Sequence, residues 1–275
     1  MREERLETSE LRLGTPMRGV LDFSERLTRQ RNERELPSPL HRGMHLTLGA
    51  RDMWTTLTRV RDEARRLELF RIIAPKVALR IFTALQELGE KDEFVERLIE
   101  NYTVCKRCGK LPCMCDPVER STNEYKAERL EGQEQWSLSE WHRHLGKMYG
   151  KANCERGLIL TIGQLSSETA EVAEAILKMD QAKGRGDLEK VEEHRQEAID
   201  ELSQCLAWLI GVCNVVEPNS SFVSGNAVEA DLLERSFVEI YGKGCPRCNE
   251  IPCVCEGFTW LEPRKDPQTL SKKTL

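Results

Sequence analysis

The chain has 275 residues, of which 32% are charged and 39% hydrophobic, with 11 cysteines and a formal net charge of −5. That mixture suits a soluble, helix-rich protein with enough apolar material for a core, and it argues against a protein whose main task is to coat nucleic acid. Arg2, Glu3, Glu4 and Arg5 follow Met1 directly, so the sequence reads as having no signal region and no membrane-spanning run, and a cytoplasmic location is expected.

Residues 1–45 carry mixed charge, with breaks at Pro16, Pro37 and Pro39, and read as a partly disordered arm with a short helix over 20–34. Residues 46–118 read as a helical domain. Met53, Leu57, Val60 and Ala64 recur at helical steps, Pro75 is expected to interrupt before Val77, Ile81, Leu85 and Leu88, and a third helix covers 91–101. The polar stretch 119–137, with Gly132, reads as a linker. A second helical domain, 138–256, is predicted to hold helices at 138–150, 156–180, 188–216 and 227–241, with a turn over Gly184–Asp187 and a break at Pro218. Residues 257–275 read as a mobile tail. No segment alternates apolar and polar residues for long, so the predicted fold class is all-α.

Each helical domain closes on the same cassette. Cys105-Lys-Arg-Cys108-Gly-Lys-Leu-Pro-Cys113-Met-Cys115 and Cys245-Pro-Arg-Cys248-Asn-Glu-Ile-Pro-Cys253-Val-Cys255 both read C-x2-C-x4-C-x-C. Four thiolates that close together suit a tetrahedral ion of zinc type, and a reducing compartment favours metal over disulfides. Tyr102 and Tyr241 stand just upstream, and Phe94–Tyr102 is similar to Leu233–Tyr241. Either a duplication or a shared way of docking a metal knuckle accounts for that. Cys205 and Cys213 lie on an apolar helix face, where core packing explains them.

Between the two long helices of the second domain lies a candidate for chemistry. Leu158, Ile162, Leu165, Thr169, Val172 and Ile176 form a stripe edged by Glu168, Glu171 and Glu174. Ala198, Leu202, Cys205, Leu209 and Val216 form another, edged by Glu197, Glu201 and Gln204. Residues three apart are neighbours on a helix, so stripe packed on stripe would gather these oxygens beside an apolar wall. Such a cluster suits magnesium, which neutralises polyphosphate charge and activates water. A solvated helix rim has the same pattern.

The stretch Glu155–Ile176, followed by Asp200–Ile210, resembles the MazG-type nucleotide pyrophosphohydrolases, and Tyr241–Cys255 resembles the CPxC…PCxC cassette that ends one branch of that family. The resemblance covers roughly 138–256 and does not extend into 1–100. It implies an all-α bundle that assembles as dimers or tetramers and splits nucleoside triphosphates into monophosphate and pyrophosphate with magnesium. It also implies roles for particular residues: Glu168 and Glu171 as the first ligand pair, Glu201 as the glutamate of the second, and Asn214 as a substrate contact. Gln204 and Glu197 are further candidate magnesium ligands. Three positions depart from the family pattern. Ser167 replaces a glutamate, Ile240 replaces a lysine before the tyrosine, and Gln204 stands where an aspartate is needed. An amide offers a carbonyl oxygen but neither charge nor a base. The register Glu197-Ala-Ile-Asp200 also reads ExxD, shifted by one turn.

Three functional readings stay open: an active pyrophosphohydrolase, a nucleotide-binding or structural relative without turnover, and a docking module for nucleic acid or protein. The last would use Lys106, Arg107 and Lys110 with Arg51, Arg59, Arg61, Arg65 and Arg66. His142 and His144, near a helix start, are expected at the surface. The doubled cassette further suggests that the N-terminal helices pack on the second domain within one chain, as a pseudo-dimer with a single carboxylate site.

Overall fold

The computed structural model describes residues 10–35, 38–86, 88–89, 91–115, 125, 128–216 and 232–254. Among them are seven helices and no strand: α1 (Met17–Glu35), α2 (Pro39–Arg59), α3 (Glu63–Leu85), α4 (Lys91–Tyr102), α5 (Leu138–Gly184), α6 (Leu188–Val216) and α7 (Leu232–Tyr241). The fold class is all-α, as the sequence predicts. The segments 1–9, 217–231 and 257–275, with Cys255, lie outside the described residues.

Within the expected arm, residues 10–35 and 38–45 belong to the packed fold. Met17, Val20, Leu21, Phe23 and Leu27 form a buried face of α1, and Pro16 pairs with Ser137 in an isolated bridge. Mixed charge hides this stripe in the sequence, and only a partner surface makes it a core. Ser24 and Thr28 on the same face are buried too, and their hydroxyls return to Val20 O and Ser24 O at 2.8 Å. Local bonds of that kind make buried hydroxyls tolerable.

The expected break at Pro75 falls elsewhere. The chain leaves the helix at Val60, and α3 begins after Asp62, whose carboxylate accepts Arg65 N–H at 2.7 Å as an N-cap. Pro75 is inside α3 and buried, with Ala74 and Val77 buried beside it. Proline forfeits one helical hydrogen bond, a cost that burial of both flanks offsets here. In α5, Gly157 departs from helical geometry (φ 80, ψ 167) and kinks the helix near the start of the second of the two segments predicted there. Helix α6 matches its predicted limits. Its most apolar window is long and apolar enough to cross a membrane, unlike any run expected from the sequence, and 61% of that window is buried inside the fold.

The core is continuous across the expected linker, where Gln133 is fully buried. Helices α5 and α6 form an antiparallel hairpin, α2 and α3 form another, and the two pack across α2–α5 and α3–α6. Their contacts correspond. Asp187 caps α6 through Lys190 N–H at 3.1 Å, as Asp62 caps α3. The cysteine segments cross over: Cys113 N–H donates to Met148 O in α5 at 3.0 Å, and Cys253 N–H donates to Leu27 O in α1 at 2.9 Å. Each half therefore docks its knuckle on the first helix of the other, the reciprocal pattern of a two-fold dimer inside one chain.

Candidate metal centres

The carboxylate cluster is set by the α5–α6 hairpin. Gly186, at φ 72, closes its turn, and the apolar stripes interlock below it, with Leu165, Val172, Leu202, Cys205 and Leu209 all fully buried. The edges then meet as predicted. One oxygen from each of Glu168, Glu171 and Glu201 lies within 4.8 Å of the others. Glu168 is 9% exposed and accepts Trp208 Nε1–H at 3.1 Å, while Ser167 Oγ donates to Glu171 at 3.3 Å.

Three acids this close resist simultaneous ionisation. Burial, then the hydrogen bond and charge of Glu168, push the Glu201 carboxyl up to about 8. Burial also raises Glu168, with Glu171 and Asp200 adding to it. A divalent cation would relieve the repulsion, which is why oxygen clusters of this charge suit magnesium better than a lone proton.

The other candidates separate. Gln204 is at the cluster, but its Nε2 donates to Glu201 at 2.8 Å and to Asp200 at 3.4 Å, so it ties two carboxylates together. Glu197 is outside: it meets His194 Nδ1 at 3.0 Å and Lys178 Nζ at 3.7 Å. Glu174 pairs with Lys178 at 3.0 Å. Asn214 is fully buried, with His142 Nε2 2.9 Å from its Oδ1, and the 13 residues from Glu201 set it about 20 Å away along α6.

Two neighbours add to the expected set. Trp208, one heptad past Glu201 on the same helix face, orients Glu168, and the Arg156 guanidinium stands 4.9 Å above its ring. For Trp208 the heptad spacing is a readable signal. Nothing in the sequence points to Asn101, which is fixed by the packing of α4 on α6. Its Nδ2 donates to Asp200 Oδ1 at 2.7 Å and Ser203 Oγ at 3.0 Å.

The expected surface histidines are buried. His142 is fully buried, and His144 is 7% exposed with Trp136 and Trp141 packed against its ring. His144 Nε2 lies 2.7 Å from Tyr102 O, and burial lowers its pKa.

The N-terminal cassette brings Cys105, Cys108, Cys113 and Cys115 within 4.8 Å of one another; Cys245, Cys248 and Cys253 do the same. Sulfur separations of 3.3 to 4.0 Å bracket the roughly 3.8 Å expected for sulfurs around a tetrahedral zinc ion and far exceed a disulfide bond. The turns match: Gly109 N–H donates to Cys105 O at 2.7 Å and Asn249 N–H to Cys245 O at 2.8 Å, with φ 65 at Gly109 and 60 at Asn249. Burial opposes ionisation of Cys108, yet the Met114 and Lys110 N–H groups and adjacent thiols lower it to about 7, while burial and Cys113 push Cys115 up. Each cluster can hold a metal ion of zinc type.

Among the basic residues, Arg51 pairs with Asp52 at 3.3 Å, Arg65 with Glu68 at 3.0 Å, and Arg66 Nη2 donates to Val60 O at 3.0 Å. The two carboxylate partners reduce the free positive charge that a nucleic-acid surface needs, while Arg66 keeps its charge. Models of known protein families, curated proteins and solved structures all gave no match to the chain.

Proposed function

We propose that the protein is a magnesium-dependent nucleoside triphosphate pyrophosphohydrolase in which Glu168, Glu171 and Glu201 hold the cation, with zinc in both cysteine knuckles. The observation that carries this reading is the convergence of three carboxylate oxygens within 4.8 Å of one another on two helices. The resemblance to MazG-type enzymes supplies the substrate class. The bound cation would neutralise phosphate charge and supply an activated water. The chain's own residues do the rest. Trp208 holds Glu168 in place, Arg156 offers a cation above Trp208 to a phosphate, and the apolar wall of Leu165, Leu202 and Cys205 limits water behind the acids. Such enzymes are oligomeric; in this chain the second half occupies the partner's place. A cytoplasmic location fits reduced cysteines.

A second reading, a nucleotide-binding relative without turnover, is favoured by Gln204, which contributes an N–H toward Glu201 where the family has a charge. Pyrophosphate release from a panel of triphosphates with magnesium separates the two. Release that Glu171→Gln abolishes establishes the enzyme; no release by the wild type, with activity appearing in Gln204→Asp, establishes the second reading.

A further inference from the structure

The route from the N-terminal knuckle to the carboxylates is short. Helix α4 ends in Asn101 and Tyr102, and Cys105 follows three residues later. Asn101, 6% exposed, grips Asp200 and Ser203 of α6. The other Asp200 oxygen shares the Gln204 amide with Glu201, so Asn101 reaches the cluster through two hydrogen-bonded side chains. The backbone of the same turn is held from the other side, where His144 meets Tyr102 O at 2.7 Å and Thr103 Oγ1 donates to Gln133 Oε1 at 3.0 Å. The knuckle itself is seated on α5 through Cys113 and Met148.

At the matching place in the C-terminal half stand Ile240 and Tyr241. Ile240 carries no hydrogen-bonding side chain, and Tyr241 is fully buried in the electrostatic reach of Arg80, on α3, in the half without the carboxylate cluster. The family departure at Ile240 therefore concerns the wrong half. The residue before a tyrosine that meets the acids of α6 is Asn101.

We propose that the N-terminal knuckle and the Asn101–Tyr102 turn leading into it position the carboxylate cluster of the C-terminal half, so that the cluster takes its divalent cation tightly only while that knuckle holds metal. Asn101 is a positioning residue in this scheme. It holds Asp200, which holds Gln204 against Glu201. The inference rests on the cation-binding reading of Glu168, Glu171 and Glu201. Its consequence is that two knuckles of one spelling have different jobs.

Titration of the zinc-loaded full chain with Mn2+ alone, read by the electron paramagnetic resonance of unbound Mn2+, tests it. Removal of a hydrogen-bonded partner behind a metal site weakens affinity by about tenfold or more. Asn101→Ala and Cys108→Ser should each weaken Mn2+ binding by about that factor, Cys248→Ser by clearly less, and Ile240→Ala should leave it at the wild-type value. Helical circular dichroism at the titration temperature verifies folding, and Asn101→Ala leaves all eight cassette cysteines in place if Cys108→Ser fails to fold. Wild-type affinity in Asn101→Ala, or equal losses in the two cysteine variants, overturns the coupling. A wild type that binds no Mn2+, or a Glu171→Gln variant that binds it as well as wild type, overturns the cation reading itself and this inference with it.

Discussion

The α2–α3 and α5–α6 hairpins share a frame and differ in equipment. Both turn into an aspartate N-cap, both present an apolar stripe to the common core, and both lie beside a helix that ends in tyrosine and a cysteine knuckle. Counting from the two caps, Glu201 corresponds to Lys76, Cys205 to Arg80, Glu168 to Gly43 and Glu171 to Leu46. Where the C-terminal half gathers acids, the N-terminal half has a half-buried guanidinium, Arg80. Arg80 lies so close to Gly49 that a β-carbon there would collide with it, and burial lowers its pKa. A frame survives such exchange because stripes and caps hold it; chemistry does not, since a metal site needs every ligand.

The comparison can be broken at its strongest point first. Glu171→Gln should lower pyrophosphate release by at least about a hundredfold, because a charged ligand lost from a cation site is worth several kcal/mol at the transition state. Lys76→Gln, at the place corresponding to Glu201, should leave the rate near wild type. Equal losses in steady-state assays would mean that both hairpins contribute to the site.

Knuckle metal should matter to both halves. Stripping zinc with a chelator should lower the melting temperature by on the order of 10 °C, since structural zinc supplies folding free energy directly. Calorimetry that finds no shift would remove metal from both cassettes.

The carboxylate cluster should also make stability depend on pH. The Glu201 carboxyl is raised from 4.5 to about 8 in the fold. A raised acid favours the folded state while protonated, so its contribution is fully present below about 4.5 and is lost as pH rises to about 8. In magnesium-free buffer the melting temperature should fall across that window, on top of any background trend, and added Mg2+ should restore it. Glu201→Gln should flatten the dependence. An unchanged slope in that variant would show that Glu201 is not the group responsible.

The smallest test concerns the shared frame. Asp62→Ala and Asp187→Ala should each cost about 1 kcal/mol in chemical denaturation, the ordinary value of an N-cap. Unequal costs would show that one hairpin bears more of the core than the other.

Much of the site is legible in the sequence. The stripes on α5 and α6 bring Glu168, Glu171 and Glu201 together because helical period alone decides which residues share an edge. Glu197 lies on that edge too, and only the positions of His194 and Lys178 draw it away from the cluster. The C-x2-C-x4-C-x-C spelling announces two thiol clusters from local chain geometry. Residues 17–27 are harder, because their charges are interleaved with an apolar face that only α3, α4 and the second knuckle make necessary. The histidines elude a sequence for a related reason: His144 meets Trp136 and Trp141, and His142 meets Asn214 of α6, through packing in three dimensions rather than by helical period.

The sequence by itself determined the all-α class, the limits of α6 and the thiol and carboxylate groupings, since those depend on spacing within one helix, one turn or one hairpin. Which knuckle serves which hairpin was decided only in three dimensions. Asn101 meets Asp200, and Cys113 meets Met148, because each half lays its cassette across the other; contacts between residues about a hundred apart, as in Asn101–Asp200, or between two separate helical halves, leave no periodicity for a sequence to display.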